Sequence, residues 1–137
     1  MADKPLLTFA FMDPPFESER TVTFFRLLDA ALRRKANVTV FAYEGAVALT
    51  FARQRQHGNG VHGTSLEEEA HPLTKDWVVG LQQQAAQYGQ EFTWINCGLC
   101  VDERGVEESI AGCPKGSPAD FWKAASASTN TLVIATR

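Results

Sequence analysis

Short apolar runs alternate with longer segments of helical periodicity along the whole chain. The runs at 6–12, 37–44, 91–96 and 131–136 are rich in β-branched and aromatic residues, which is typical of strands. In the segments between them, apolar residues recur every three to four positions, which indicates helices that bury one face. Parallel strands need such crossovers, so the alternation favours an α/β domain. The predicted helices cover residues 17–36, 46–56, 72–89, 100–109 and 117–126.

The length and apolar content of the chain bound its architecture. Its 137 residues fit one domain over residues 1–137, and 45% hydrophobic residues allow a core without metal or disulfide staples. Right-handed crossovers then predict a three-layer domain with a mostly parallel, flavodoxin-like sheet of four to five strands, strand 1 lying between strands 2 and 3. We expect the loops MDPPF (12–16) and NCGLC (96–100) to meet where the winding reverses, which is the usual ligand position.

Charge and composition exclude several classes of partner. The net charge is −3 and the only tight basic run, residues 33–35, suits a helix end, so no nucleic-acid partner is predicted. No stretch reaches transmembrane length, and the N-terminal apolar run lacks a basic region or cleavage site before it meets two prolines. Three cysteines are too few for a secreted disulfide framework. We therefore expect a cytoplasmic protein without membrane contact.

Residues 57–71 form the least structured part of the sequence. The stretch contains three glycines, an acidic triplet and all three histidines, with little apolar content. A segment of this length and composition in a compact domain predicts a mobile loop or lid. The histidines lack metal-motif spacing, so we expect solvated loop residues, with a lid over the thiol site as the functional alternative. They are His57, His62 and His71.

The two cysteines of NCGLC lie where a predicted strand passes into a predicted helix. Cys97 would be the first residue past the strand, where unpaired backbone N–H groups and the helix dipole stabilise a thiolate. Gly98 leaves room for a partner to approach. Cys100 follows one helical turn later and is either a resolving thiol or a packing residue. Cys97 is therefore the candidate nucleophile.

Charged residues follow the cysteine pair. Arg104, seven residues after Cys97, either steadies an anion or pairs with a neighbouring carboxylate. Asp102 and Glu103 suit a helix N-terminus but oppose ionisation of a nearby thiol. The sequence leaves the balance between these effects open.

Three other uses of the thiols stay open. A Cys-x-x-Cys pair is also typical of thiol–disulfide redox proteins, although they carry it after an early strand. The thiols could instead be structural, as buried free cysteines often are. A zinc site would need Cys97, Cys100, Cys113 and one histidine, but the spacing matches no finger or ribbon. Cys113 precedes a proline in a predicted turn, so we expect it to be exposed.

The block CGLCVDERGV resembles the active-site segment of the DsrE/DsrF-like sulfurtransferases. Cys97, Arg104 and Gly105 match its spacing, and Cys100 matches an optional second thiol. VTVFAYEGA and the apolar last strand are similar to further family elements, so the resemblance covers nearly the whole chain. It implies that Cys97 carries sulfur as a persulfide for a partner protein's cysteine.

The resemblance also implies partners and a setting. It implies TusA-like sulfur carriers as partners, homo-oligomers (trimers or hexamers), and a role in sulfur oxidation or tRNA thiolation. Sulfane-sulfur transfer is thiol–disulfide exchange in kind, so it needs no cofactor and no metal. The long 57–71 loop and Cys113 depart from the simplest members of the family.

Overall fold

A computed structural model describes residues 3–136 of the chain. Four of its five parallel strands coincide with the predicted apolar runs, and β4 is an addition. β4 consists of two residues, Lys115 and Gly116, that pair with the end of β3. So short a strand carries no apolar or β-branched pattern that would predict it. The strands are β1 (Leu6–Phe11), β2 (Asn37–Ala42), β3 (Phe92–Cys97), β4 (Lys115–Gly116) and β5 (Asn130–Ile134).

The strand order differs from the predicted one. In space the order is β4-β3-β2-β1-β5, so β1 lies between β2 and β5, and the prediction that it lies between strands 2 and 3 is wrong. The chain winds one way from β1 to β4 and reverses only on its crossover to β5. The loop after β3 is thus two strands away from β1. Hydrophobic periodicity identifies strands but carries no information on which strands pair.

Helices cover both faces of the sheet. Alternate residues of a strand point to opposite faces. Phe11 stacks on Phe24 at 4.3 Å, whereas its neighbour Ala10 lines a pocket with Phe121 on the other face. These contacts confirm the three-layer α/β domain. No helix among residues 3–136 has both the length and the apolar character needed to cross a membrane. The helices are α1 (Arg20–Arg33), a 3₁₀ helix (Glu44–Thr50), α2 (Thr74–Tyr88), α3 (Gly98–Arg104) and α4 (Pro118–Ala127).

Glycines in the left-handed region end two of the helices. Gly89 ends α2 at φ 66°, as its position in the sequence predicts. Gly105 ends α3 at φ 65°, so the predicted helix over 100–109 is too long at its C-terminal end. Residues 52–73 form turns and isolated bridges without a helix or strand, so the predicted irregular segment 57–71 is longer than expected. The predicted helix over 46–56 is correspondingly too long, because its helical part ends at Thr50.

Aromatic side chains form the centre of the core between the sheet and α1. Trp94 is fully buried and lies against Phe24 and Phe25, with ring centroids 6.0 and 6.5 Å away. Trp122, which its hydrophobicity also predicts as a core anchor, is 74% exposed on α4. The residue type alone does not show which face of α4 packs on the sheet.

Candidate functional site

Cys97 lies at the junction between β3 and α3. It is the last residue of β3 and the N-cap of α3, and it pairs in register with Gly116 of β4. Its side chain makes no capping hydrogen bond and is only 3% exposed. The strand-to-helix junction lies where the sequence predicts it, although Cys97 is the last residue of the strand and not the first one past it. The residue is buried.

Cys100 lies beside Cys97 in the first turn of α3. Its Sγ accepts a hydrogen bond from the Glu44 N–H at 3.2 Å. Burial first, and then the hydrogen bond with Cys97, raise the pKa of the Cys100 thiol to about 11. At neutral pH Cys100 is therefore a protonated thiol.

The turn after β2 forms one wall of this site. Glu44 adopts φ 50°, in the left-handed region that non-glycine residues rarely occupy, and its backbone N–H points at the Cys100 sulfur. Gly45 packs against Pro14, where an added Cβ would lie 2.8 Å from the proline Cδ. Sequence reasoning missed the contact between Gly45 and Pro14. The only signal for it in the sequence is a glycine directly after an apolar strand.

Arg104 contacts the backbone of the site and does not bind a sulfur atom. Its guanidinium donates to the Cys100 carbonyl oxygen at 3.4 Å and lies 3.7 Å from the Glu103 carboxylate. Its positive charge lowers the pKa of Cys100, but this effect is the smallest of those acting on that thiol. Arg104 therefore steadies the turn of α3 that holds Cys100.

Lys115 of β4 neutralises one of the carboxylates that follow the cysteines. Its Nζ lies 2.7 Å from Asp102 and 4.0 Å from Glu107. The unfavourable effect of Asp102 on a thiolate is thus partly offset, although exposed pairs of this kind contribute little stability. Gly116, the next residue, must be a glycine, because a Cβ there would overlap the Ile95 side chain.

A buried polar network fixes the residue before Cys97. Asn96 is fully buried; its Oδ1 accepts from the Trp94 indole at 3.0 Å, and its Nδ2 donates to the hydroxyls of Thr50 at 2.9 Å and Ser109 at 3.2 Å. These bonds tie the end of β3 to the 3₁₀ helix and to the segment after α3. The sequence does not reveal that Asn96 is buried, because the partners that make its burial favourable lie far away in the chain.

Cys113 is a buried residue, and the prediction that it is exposed is wrong. It lies in the segment before β4 and is 6% exposed, and Gln82 Nε2 lies 3.8 Å from its Sγ. Burial raises the pKa of this thiol to about 12. In the part of the chain that the structure describes, no group of three or more His, Cys, Asp and Glu residues is arranged to hold a metal ion, so the zinc alternative has no assembled ligand set.

The buried thiols give the fold a distinct response to alkaline pH. Unfolded cysteines ionise near pH 9, whereas Cys100 and Cys113 keep their protons to about pH 11 and 12. Unfolding then releases protons, so the free energy of unfolding should fall as the pH rises above about 9, by up to about 1.4 kcal/mol per pH unit for each thiol. Urea unfolding over a pH series will measure this. Cys113→Ala should flatten the slope, and equal slopes would contradict the assignment.

His57 and His71 lie together beside Phe16, and no cysteine lines the cavity that His71 borders. The His71 ring is edge-on to Phe16 at 5.0 Å and lies 6.2 Å from the His57 ring. His71 lines a cavity between α1 and α2. The structure therefore gives no support to a histidine lid over the cysteine pair.

The point where the winding reverses, between β1 and β5, holds a separate cavity. Its volume is about 370 Å³, and the buried Asp13 carboxylate on its wall accepts a 2.6 Å hydrogen bond from the Ser18 hydroxyl. The loop 12–16 reaches this point but the loop 96–100 does not, so the predicted meeting of the two loops is wrong.

Comparisons with known proteins agree with the architecture. The sequence model of the DsrE/DsrF-like family matches residues 6–134, from the first residue of β1 to the last of β5. A search of the curated proteins finds no match. Among solved structures, the fold is similar to that of the ychN protein from E. coli, with a TM-score of 0.66 and 16% identity over 96% of this chain and 100% of that one. That identity supports a shared fold alone. Because the family match spans all the strands and helices described above, the chain belongs to the DsrE/DsrF-like family.

Proposed function

We propose that this protein carries sulfane sulfur on Cys97 as a persulfide and passes it to a cysteine of a partner protein. Proteins of the DsrE/DsrF-like family work in sulfur relay. The observation that carries the proposal is the position of Cys97 at the end of β3, as the N-cap of α3, with Cys100 in the first turn of that helix and its sulfur bound by the Glu44 N–H. A TusA-like carrier in the cytoplasm is the partner that we expect.

The proposed reaction is two successive exchanges at sulfur. The Cys97 thiolate attacks a sulfane sulfur of the donor, and the donor's sulfur–sulfur bond breaks and leaves a shortened thiolate. The acceptor thiolate then attacks the outer sulfur of the persulfide, which restores the Cys97 thiolate. Each step forms one sulfur–sulfur bond and breaks one, so no external oxidant, metal or cofactor takes part.

Cys97 is the nucleophile in this proposal because the other two thiols are held in their protonated form. The pKa of Cys100 is raised to about 11 and that of Cys113 to about 12, so both remain thiols at neutral pH. The thiolate is the attacking species in sulfur exchange. We assign Cys100 as a resolving thiol that reacts slowly, because only a small fraction of it is ionised at neutral pH. Arg104 is assigned as a source of positive charge for the anion, since its charge already acts on Cys100.

Cys97 must become accessible before it can react. Its side chain is 3% exposed, and β4 pairs directly with Asn96 and Cys97 along the edge of the sheet. β4 is only two residues long and lies at the sheet edge, so it is among the cheapest elements of the fold to displace. We infer that β4 opens to admit the sulfur donor.

A direct experiment tests the function. The protein is incubated with polysulfide, desalted, and mixed with a TusA-like protein, and the intact mass of each is followed. Gain of one sulfur atom and its appearance on the acceptor would support the proposal. A protein that never gains sulfur, even in mild urea that opens β4, would overturn it.

A structural role for the thiols is the second candidate, and the burial of all three cysteines favours it. Under this reading the chain is an interaction subunit whose cysteines only pack. Simultaneous replacement of Cys97 and Cys100 by alanine would then change stability but leave sulfur transfer by its partner complex intact. Loss of transfer with a retained fold would exclude this candidate.

We also infer that the protein forms a homo-oligomer through the face made by α4 and β5. β5 is an edge strand whose apolar residues are exposed on both faces, with Leu132 43% and Val133 50% exposed. Trp122 on α4, the helix that leads into β5, is 74% exposed. An exposed apolar edge strand favours association, as in the implied trimers or hexamers.

Val133→Lys is expected to shift this assembly towards the monomer, because it places a charge in the buried contact. Sedimentation velocity of wild type and variant at matched concentrations measures the shift. Val61→Lys makes the same change at a 91% exposed valine outside this face and should leave the assembly intact. A wild-type protein that sediments as a monomer would refute the inference.

A further inference from the structure

An apolar cavity opens between the first turns of α1 and α2. Its volume is about 390 Å³, and Val22 and Trp77 form part of its walls. It lies at the carboxyl edge of the sheet, where both helices begin, and Cys97 does not line it. The volume lies in the range of small-ligand pockets, which are mostly apolar with a few polar groups.

The wall of this cavity holds an unsatisfied hydroxyl. Thr21 lines the cavity and is buried, yet its Oγ1 has no hydrogen-bond partner among residues 3–136. A buried hydroxyl without a partner destabilises a fold, and valine would fill the same space without that penalty. The oxygen has almost no accessible surface, so a rotation of the Thr21 side chain about χ1 would be needed to turn it into the cavity, where a ligand would satisfy it.

The rim of the cavity holds a second unfavourable feature. Phe16 adopts φ 63°, a left-handed conformation that is strained for an aromatic residue, and its side chain is 64% exposed. The strained turn holds the phenyl ring at the cavity, edge-on to His71. Backbone strain and unsatisfied polar groups concentrate at functional sites, and here two independent examples border the same space.

The chemistry of the lining defines the ligand class. Trp77 stacks on Phe25 at 4.6 Å and also borders the cavity, so its indole offers a flat apolar wall. His71 Nδ1 lies 2.7 Å from the Glu69 carbonyl oxygen, which can only accept, so in the neutral ring Nδ1 carries the hydrogen and Nε2 is an acceptor. The site therefore offers aromatic surfaces, one acceptor and one hydroxyl.

We propose that this cavity binds a small planar aromatic molecule that carries a hydrogen-bond donor, such as a phenol or an indole. The ring lies against Trp77 beneath Phe16, and the donor engages His71 while Thr21 completes the polar contacts. This site is separate from the cysteine pair, so its failure would leave the proposed sulfur chemistry untouched.

The full chain, labelled with ¹⁵N, is titrated with phenol and with indole, and amide shifts are followed by NMR. Saturable shifts confined to residues around Thr21, His71 and Trp77 are expected. Cyclohexanol, which has the hydroxyl but no aromatic ring, should bind at least about fivefold more weakly. Absence of saturable shifts with both aromatic probes would overturn the proposal.

Thr21→Val gives the sharpest readout, because function and stability should move in opposite directions. The variant should melt about 3 °C higher and bind phenol about fivefold more weakly. Thr23→Val, the same change at an exposed position of α1, should alter neither. An unchanged affinity, or a lower melting temperature, would refute the role of this hydroxyl.

Discussion

Cys97→Ser is expected to abolish uptake of sulfur from polysulfide, because serine supplies no sulfur nucleophile at the end of β3. The intact mass of the treated variant should stay unchanged, whereas wild type gains sulfur that a reducing agent removes. The substitution replaces one small buried side chain by another, so the variant should remain folded at neutral pH. Circular dichroism will check this before the sulfur assay.

Two matched variants make this result specific. Cys113→Ser removes a buried thiol in the segment before β4 and should load sulfur as wild type does. Cys100→Ser should load sulfur and retain it longer, because the Cys100 thiol can no longer attack the Cys97 persulfide, form a disulfide and release hydrosulfide. Wild-type sulfur uptake by Cys97→Ser would show that another cysteine carries the sulfur.

Asn96→Leu is expected to lower the free energy of unfolding by about 3 kcal/mol, and with it the melting temperature by about 10 °C. Leucine is similar in size but leaves the Trp94 indole N–H without its acceptor and deprives the Thr50 and Ser109 hydroxyls of their amide donor. Urea unfolding followed by far-ultraviolet circular dichroism measures the loss.

The control for this substitution lies on the same strand. Thr93→Leu makes a comparable change at an exposed position of β3, and we expect an effect within about 0.5 kcal/mol. A loss for Asn96→Leu as small as that of the control would mean that water replaces the missing partners. The network would then not be what positions Cys97.

At the candidate site, local sequence patterns predict the positions of the cysteines but not their contacts. The spacing of Cys97, Cys100 and Arg104 resembles the active-site segment of the family to which the chain belongs. The apolar run before it correctly predicts a strand that ends at Cys97. The same pattern could not reveal that the Glu44 N–H binds the Cys100 sulfur. That contact joins residues 56 positions apart, and it depends on β2 and β3 being neighbours.

The amino-acid sequence by itself determined the α/β class, four of the strands and the family, because periodicity and short motifs are local properties of the chain. Only the tertiary structure decided the strand order, the burial of Cys97 and Cys113, and the partners of Asn96. Each of these depends on which distant segments meet. Which segments meet is determined by the packing of the whole sheet against its helices. Every residue contributes a little to that packing, and no short stretch of sequence determines it alone.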